Sequence, residues 1–233
     1  KLLAAYRAYE FHIVQHAIHN FCIVDMSNFY LDVIKDRLYT QKANSSARRA
    51  AQTTMYKILD ALVKLLAPVL AYTAEEIWSF MPHTDKENQE FVLLNDMPKP
   101  TPELYDEAFE AKWDQILAVK ADVSKALENA RAAKVIGHSL GADVEIFADG
   151  ALYDLLSGMK DDLVTYFIVS DVSVKPVSEA NGGTHTGETG IQVRVTQAEG
   201  EKCERCWMFS KTVGQSHDHP TLCARCASVL KED

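Results

Sequence analysis

The chain has 233 residues, 47% of them hydrophobic, and a formal net charge of −9. A chain of this length can bury sizeable cores in two or three folding units. The acidic total argues against a protein that holds nucleic acid through its overall charge. However, residues 1–60 contain eight Lys and Arg against five Asp and Glu, whereas residues 61–110 contain three against ten. A basic face can therefore exist within an acidic chain.

The chain opens inside a helical pattern and without an initiator Met, which predicts a piece of a longer polypeptide. Apolar residues recur at helical spacing from the start of this pattern, at Phe11, Val14, Ile18 and Phe21. We expect this helix to be interrupted near residues 25–27 and to restart there. No uncharged apolar segment reaches eighteen residues, so the sequence predicts no membrane span.

The next helices carry clear start and stop signals. Ser45 lies in a polar turn that favours a helix start, and Pro68 predicts a kink or an end. Residues 73–76, Thr-Ala-Glu-Glu, form a capping-box pattern that predicts the start of a short helix. Residues 82–105 are rich in proline and predict a loop, and a further amphipathic helix follows to about residue 133. We expect an antiparallel helix bundle over residues 1–135.

The pattern changes after Gly137. Segments of alternating or β-branched residues predict strands at 144–147, 166–169, 172–174 and 191–195, with a short helix near 152–159. The glycine- and threonine-rich segment 181–190 predicts an exposed loop or linker. The overall prediction is a mainly α fold, in which the bundle is followed by a small α/β unit over 136–198 and a four-cysteine zinc module over 199–233.

Four cysteines near the end of the chain form the most specific motif. Cys203 and Cys206 make one Cys-x2-Cys pair, and Cys223 and Cys226 make a second pair after sixteen residues. This spacing is typical of a structural Zn²⁺ site with four thiolate ligands. Two alternatives stay open, a pair of disulfides and the replacement of one cysteine by an intervening histidine. A site closed by four thiolates has no open position for water, so we predict no zinc hydrolase.

Two long segments resemble a known family. Residues 11–40 and 46–82 are similar to the anticodon-binding helix bundle of class I aminoacyl-tRNA synthetases. Residues 130–146, together with GEKCERCW at 200–207 and LCARC at 222–226, are similar to the carboxy-terminal region of bacterial-type isoleucyl-tRNA synthetases. The four cysteines match the zinc ligands of that family, whereas we find no match to it for segment 181–190.

The resemblance implies ATP-dependent ligation of isoleucine to tRNA-Ile in the cytoplasm. It also implies that catalytic and editing domains precede this segment, because the nucleotide-binding signatures of the subclass are absent here. We therefore assign no catalytic residue and expect the chain to hold the anticodon end of tRNA-Ile. The alternative is a protein–protein adaptor that combines a helix bundle with a zinc ribbon and binds no RNA.

Unpaired anticodon bases need cations for their phosphates and flat side chains for stacking. Around the turn between two bundle helices and in the zinc tail, nine residues offer these groups. This predicted RNA-contact set is Lys35, Arg37, Lys42, Arg48, Arg49, Lys202, Arg205, Trp207 and Arg225. The alternatives are that the cations form an ordinary solvated surface and that Trp207 packs against the zinc site as part of a small core.

Overall fold

The chain begins with two short helices, α1 (Leu2–Arg7) and α2 (Phe11–Asn20), followed by a π-helical segment over Phe21–Tyr30. These bounds come from a computed structural model that describes residues 1–231. Helices α3 (Leu31–Val33) and α4 (Lys35–Thr40) follow this segment in the chain. The predicted interruption near 25–27 is wrong, because the helix widens there and continues through i→i−5 hydrogen bonds such as Leu31 N–H to Met26 O.

Helix α5 (Ser46–Leu66) begins where the sequence predicts, since the hydroxyl of Ser45 accepts a hydrogen bond from Arg48 N at 3.2 Å. It ends two residues before Pro68. Helix α6 (Ala71–Phe80) follows and begins at Ala71, so the capping-box pattern at 73–76 lies inside it. The predicted loop over 82–105 contains two single turns of 3₁₀ helix, at Val92–Leu94 and Pro102–Leu104.

Two apolar clusters stabilise these helices. In one, Val14 and Ile18 of α2 pack with Leu62, Leu65 and Leu66 of α5. In the other, Trp78 is 1% exposed beneath Val92, and its indole N–H donates to Asn88 O at 3.1 Å. Trp78 therefore belongs to the core of the first unit.

An ion-pair network lies beside the second cluster. Lys64 contacts Asp60 and Glu87, both at 2.7 Å, and its side chain is 12% exposed. The hydrogen bond from Lys64 lowers the pKa of Glu87 to about 2. The carboxylate of Glu87 also accepts from the backbone and hydroxyl of Thr84, so it ties the loop after α6 to α5.

Helix α7 (Glu107–Ala132) starts at Asp106, whose carboxylate accepts from Phe109 N at 3.1 Å. Four strands follow in the chain: β1 (Ala142–Ala148), β2 (Asp171–Pro176), β3 (His185–Thr186) and β4 (Gln192–Gln197). They form a sheet in the order β2-β1-β4-β3, in which β1 and β2 are parallel and the other pairs are antiparallel. Helices α8 (Gly150–Ser157) and α9 (Lys160–Phe167) connect the parallel pair.

One apolar core joins α7 to this sheet. Val119, Val123 and Leu127 of α7 belong to the same buried cluster as Val144 and Ile146 of β1. The chain accordingly divides into a first unit, Lys1–Leu38 with Ala43–Leu104, and a second unit, Tyr39–Lys42 with Tyr105 onward. The helix that the sequence assigns to the bundle thus packs on the sheet, although the predicted domain boundaries at 135 and 198 stay predictions.

Two further predictions in the second unit are corrected. The segment Tyr166–Val169 is no strand, because Leu163 and Phe167 bury one face of α9 and Ile168 ends that helix in a left-handed conformation. The segment 181–190 is no free linker, since it contains β3 and its Gly187–Thr189 turn lies on α7. Helices that combine the length and apolar character needed to cross a bilayer are absent from residues 1–231.

Candidate metal centre and nucleic-acid interface

The four cysteines lie in two local structures of the second unit. Cys203 and Cys206 occupy the turn between β5 (Glu201–Lys202) and β6 (Phe209–Ser210), which pair antiparallel. Cys223 and Cys226 lie at the start of α10 (Ala224–Lys231). The first turn is closed by Cys203 N–H donating to Met208 O and by Trp207 N–H donating to Cys203 O, both at 2.9 Å.

Gly200 lies immediately before β5 and sets the path of the chain into the first cysteine turn. Its φ is +92°, and a Cβ atom there would overlap the backbone of Ser210 on the paired strand. Glycine is therefore required at the base of this hairpin.

The sulfur geometry fits one Zn²⁺ ion. The four sulfur atoms lie within 4.8 Å of one another, and Cys206 Sγ is 3.9 Å from Cys223 Sγ. A tetrahedral site with Zn–S bonds of about 2.3 Å separates its sulfur atoms by about 3.8 Å. Among residues 1–231, the only group of three or more potential ligands brought together in this way is these four cysteines, so neither intervening histidine replaces one. All five cysteines are free thiols, which excludes the disulfide alternative in this structure.

Hydrogen bonds and burial shift the pKa values of three of these thiols in different directions. The hydrogen bond from Cys226 lowers the pKa of Cys206 to about 4, although burial opposes this effect. The pKa of Cys226 is raised by that same hydrogen bond and by its burial, and burial also raises the pKa of Cys223. Zinc binds cysteines as thiolates, so its binding must displace the remaining thiol protons and is expected to release them.

The zinc module is anchored to the α/β part of the second unit. The hydroxyl of Ser170, which precedes β2, accepts from Phe209 N at 2.7 Å and donates to Leu140 O at 2.6 Å. The ring of Phe209 also lies 6.3 Å from that of His138. Strand β6 is therefore fixed to the sheet by both backbone and side-chain contacts.

Trp207 is an exposed aromatic platform. Its side chain is 60% exposed, its φ is +66°, and Lys202 Nζ lies 5.3 Å from the centre of its ring. A bulky residue rarely adopts a left-handed backbone conformation. This exposure argues against the alternative in which Trp207 forms part of a small core.

The two arginines of the cysteine turns differ in environment. Arg205 is half-buried, and its guanidinium donates to the backbone oxygen of Thr40 at 3.3 Å. Arg225 is exposed and lies beside Met208 and the sulfur of Cys206. Sequence spacing alone treats these two positions as equivalent, but they have different partners.

The remaining cations of the predicted RNA-contact set are divided between the two units. Lys35 is exposed and pairs with Asp32 at 2.5 Å, and Arg49 is exposed in the first turn of α5. Arg37 and Arg48 are half-buried in the same first unit, whereas Lys42 belongs to the second unit with the zinc module. Tyr39, which the sequence prediction leaves out, is 74% exposed and directly precedes the residue that Arg205 contacts. The sequence contains a signal that could have identified Tyr39, because an aromatic residue among cations at a helix end is a candidate for RNA contact.

These features first define the class of the carboxy-terminal module: four cysteine sulfurs placed to bind one cation are typical of a structural zinc finger. Residues 200–229 match the family described as the zinc finger found in FPG and IleRS. Residues 1–146 match the anticodon-binding domain of tRNA ligases, so the chain belongs to that family.

Curated relatives align with the whole chain. The isoleucine–tRNA ligase of Caldanaerobacter subterraneus subsp. tengcongensis is 49% identical over 234 residues, covering 100% of this chain and 25% of that protein. Those of Moorella thermoacetica and Syntrophotalea carbinolica are 48% and 51% identical over 100% and 98% of the chain. The chain thus spans about a quarter of the length of these relatives.

Proposed function

We propose that this chain is the part of an isoleucine–tRNA ligase that binds the anticodon end of tRNA-Ile. The alignment of the whole chain with such ligases carries this proposal. The remaining part of the protein, with its catalytic and editing domains, performs the ATP-dependent ligation of isoleucine. Free cysteines support a reducing, cytoplasmic location.

The helices of the first unit serve as the scaffold and form an antiparallel bundle in this proposal. The exposed cations Lys35 and Arg49 contact phosphates, and Arg37 and Arg48 add to the positive potential of the same unit. Lys42 belongs to the second unit and contributes there. Cations of this kind make RNA binding weaken as salt is raised.

The zinc module supplies the stacking surface. Trp207 presents an exposed ring face beside Lys202, which combines an aromatic plane with a cation at 5.3 Å. Stacking of a base on an aromatic side chain is worth roughly 1–3 kcal/mol, so Trp207→Ala should weaken tRNA binding by about 5- to 150-fold. Phe80→Ala is the matched control, because that ring is 84% exposed and lies outside the predicted contact set.

A binding titration tests the proposal directly. The zinc-loaded chain is titrated against labelled tRNA-Ile and against a tRNA with a different anticodon, at several salt concentrations. We expect tighter binding of tRNA-Ile and a linear fall of log K with log salt. Arg49→Gln should reduce the slope by about 0.7, as expected for one contact to a single strand, whereas Lys160→Gln should leave it unchanged.

The protein adaptor is the competing function, and the same titration separates the two. An adaptor binds both tRNAs equally weakly, and Trp207→Ala then has no effect on either. That result, obtained with folded and zinc-loaded protein, overturns the proposed function.

A further inference from the structure

Arg205 lies in the first cysteine turn, but its side chain is directed into the protein. Its guanidinium donates to the backbone oxygen of Thr40 at 3.3 Å. Its Nε atom is buried and has no hydrogen-bond partner among the described residues, and Thr40 itself is 5% exposed. A group enclosed in this way is poorly placed to reach a phosphate at the surface.

The acceptor explains why a cation is favourable there. Thr40 is the last residue of α4, and the last carbonyl groups of a helix have no partners within it. Positive side chains near a helix C-terminus bind these carbonyls and interact favourably with the helix dipole.

The arginine is also fixed at its own end. Cys203 and Cys206 flank it, and both belong to the metal site. The hydrogen bond to Thr40 connects positions 165 residues apart in the sequence, and segment Tyr39–Lys42 belongs to the same unit as the zinc module. A turn held by zinc therefore reaches across to the end of a helix.

We propose that Arg205 is a positioning residue that fixes segment Tyr39–Lys42 on the zinc module. In this role zinc determines the placement of the segment, since the metal orders the turn that carries the arginine. The segment presents Tyr39, 74% exposed, in the same unit as Trp207 and Lys202. We also infer that Tyr39 and Lys42 extend the RNA-binding surface of the zinc module. This last step rests on the proposed function.

Hydrogen exchange of the zinc-loaded chain without RNA tests the positioning role. Arg205→Ala and Arg205→Met should raise exchange about tenfold or more in peptides covering residues 37–45, as expected from losing a hydrogen bond to a charged donor. Zinc content should stay at one ion per chain. Lys211→Ala is the matched control, because it removes the same charge from the same module and its partner is Glu199. Exchange in residues 37–45 that is equal in all variants overturns the proposal.

A second measurement separates positioning from direct RNA contact. Arg205→Lys keeps the positive charge but lacks the planar fork of the guanidinium. A positioning role predicts that exchange in residues 37–45 and tRNA-Ile affinity change together in this variant: both stay near the unmutated values where the ammonium replaces the donor to Thr40, and both follow Arg205→Ala where it does not. Affinity equal to that of the unmutated chain, with exchange raised as in Arg205→Ala, indicates a phosphate contact and overturns the proposal. If the unmutated chain binds no tRNA, the proposed function fails, but the exchange result still decides the role of Arg205.

Discussion

The carboxylate of Asp122 organises the turn that the sequence predicts to be a free loop. It lies on α7, is 6% exposed, and accepts from Glu188 N at 2.9 Å, Thr189 N at 3.0 Å and the Thr189 hydroxyl at 2.6 Å. Gly187 passes so close that a Cβ atom there would overlap the carboxylate. Burial raises the pKa of Asp122, but the hydrogen bonds from Thr189 and Glu188 outweigh it and lower the pKa overall.

The substitution Asp122→Asn tests this arrangement. Both carboxylate oxygens accept hydrogen bonds, so an amide must turn its NH₂ group toward at least one backbone donor. The variant loses the charge and at least one hydrogen bond to it, each worth about 1.5–3 kcal/mol. We expect a loss of about 2–4 kcal/mol from the stability of the second unit. The loss is measured as the change in the free energy of unfolding, with hydrogen exchange in α7 and in residues 187–191 monitored as urea is added.

The pH dependence provides an independent check. A lowered pKa in the folded state means that Asp122 contributes stability above its unfolded pKa of about 3.9 and loses it as the pH falls through the lower folded value. The unmutated second unit should therefore lose stability in acid more steeply than Asp122→Asn does. Asp154→Asn, at an exposed position on α8, is the control. The reasoning is refuted if Asp122→Asn and Asp154→Asn both stay within about 0.5 kcal/mol of the unmutated chain.

Two further predictions concern the metal and the first unit. Cys203→Ser should release zinc, unfold residues 201–226 and weaken tRNA-Ile binding, as followed by metal analysis, hydrogen exchange and titration; unchanged affinity in the metal-free variant would contradict this role. Glu87→Gln should destabilise the first unit by roughly 2–3 kcal/mol at pH 7, because the pKa of Glu87 is lowered to about 2 by Lys64. That contribution is complete above about pH 5 and disappears as the pH falls through about 2, so the variant and the unmutated chain should converge there. An equal difference at pH 7 and pH 2 would show that the ion pair is not its source.

Local chemistry in the sequence was sufficient for several elements. The start of α5 follows from the Ser45 hydroxyl, and the metal site follows from two short cysteine spacings. Strands β1, β2 and β4 lie where their patterns predict them. Each of these features depends on residues close together in the chain, so a single sequence contains the information.

Features that depend on distant partners could not be predicted in this way. The apolar face of α7 is compatible with either a helix or a sheet as its partner, and only the folded chain shows that it packs on β1. Residues 166–169 are too few to separate a strand from a helix end by periodicity. The different environments of Arg205 and Arg225 arise from tertiary contacts that equal spacing cannot reveal.

The position of Trp207 illustrates how the metal site supports its surroundings. Only Val213 and Leu222 pack beside the cysteines as partly buried apolar residues in the described part of the module. Burial of one such side chain is worth about 1.5–3 kcal/mol, whereas zinc binding in finger peptides is worth about 10–16 kcal/mol. The metal therefore provides most of the free energy that holds the turn and, with it, the left-handed backbone of Trp207.

This backbone conformation leads to a prediction that separates stability from binding. At φ +66°, any residue with a Cβ atom is disfavoured by about 1–2 kcal/mol relative to glycine. Both Trp207→Gly and Trp207→Ala remove the stacking ring, so they should weaken tRNA-Ile binding to the same extent. Trp207→Gly should nevertheless retain zinc more tightly than Trp207→Ala against a competing chelator, by about five- to thirtyfold, because glycine relaxes the turn. Zinc retention that is equal or weaker in the glycine variant would show that the turn stores no strain at this position.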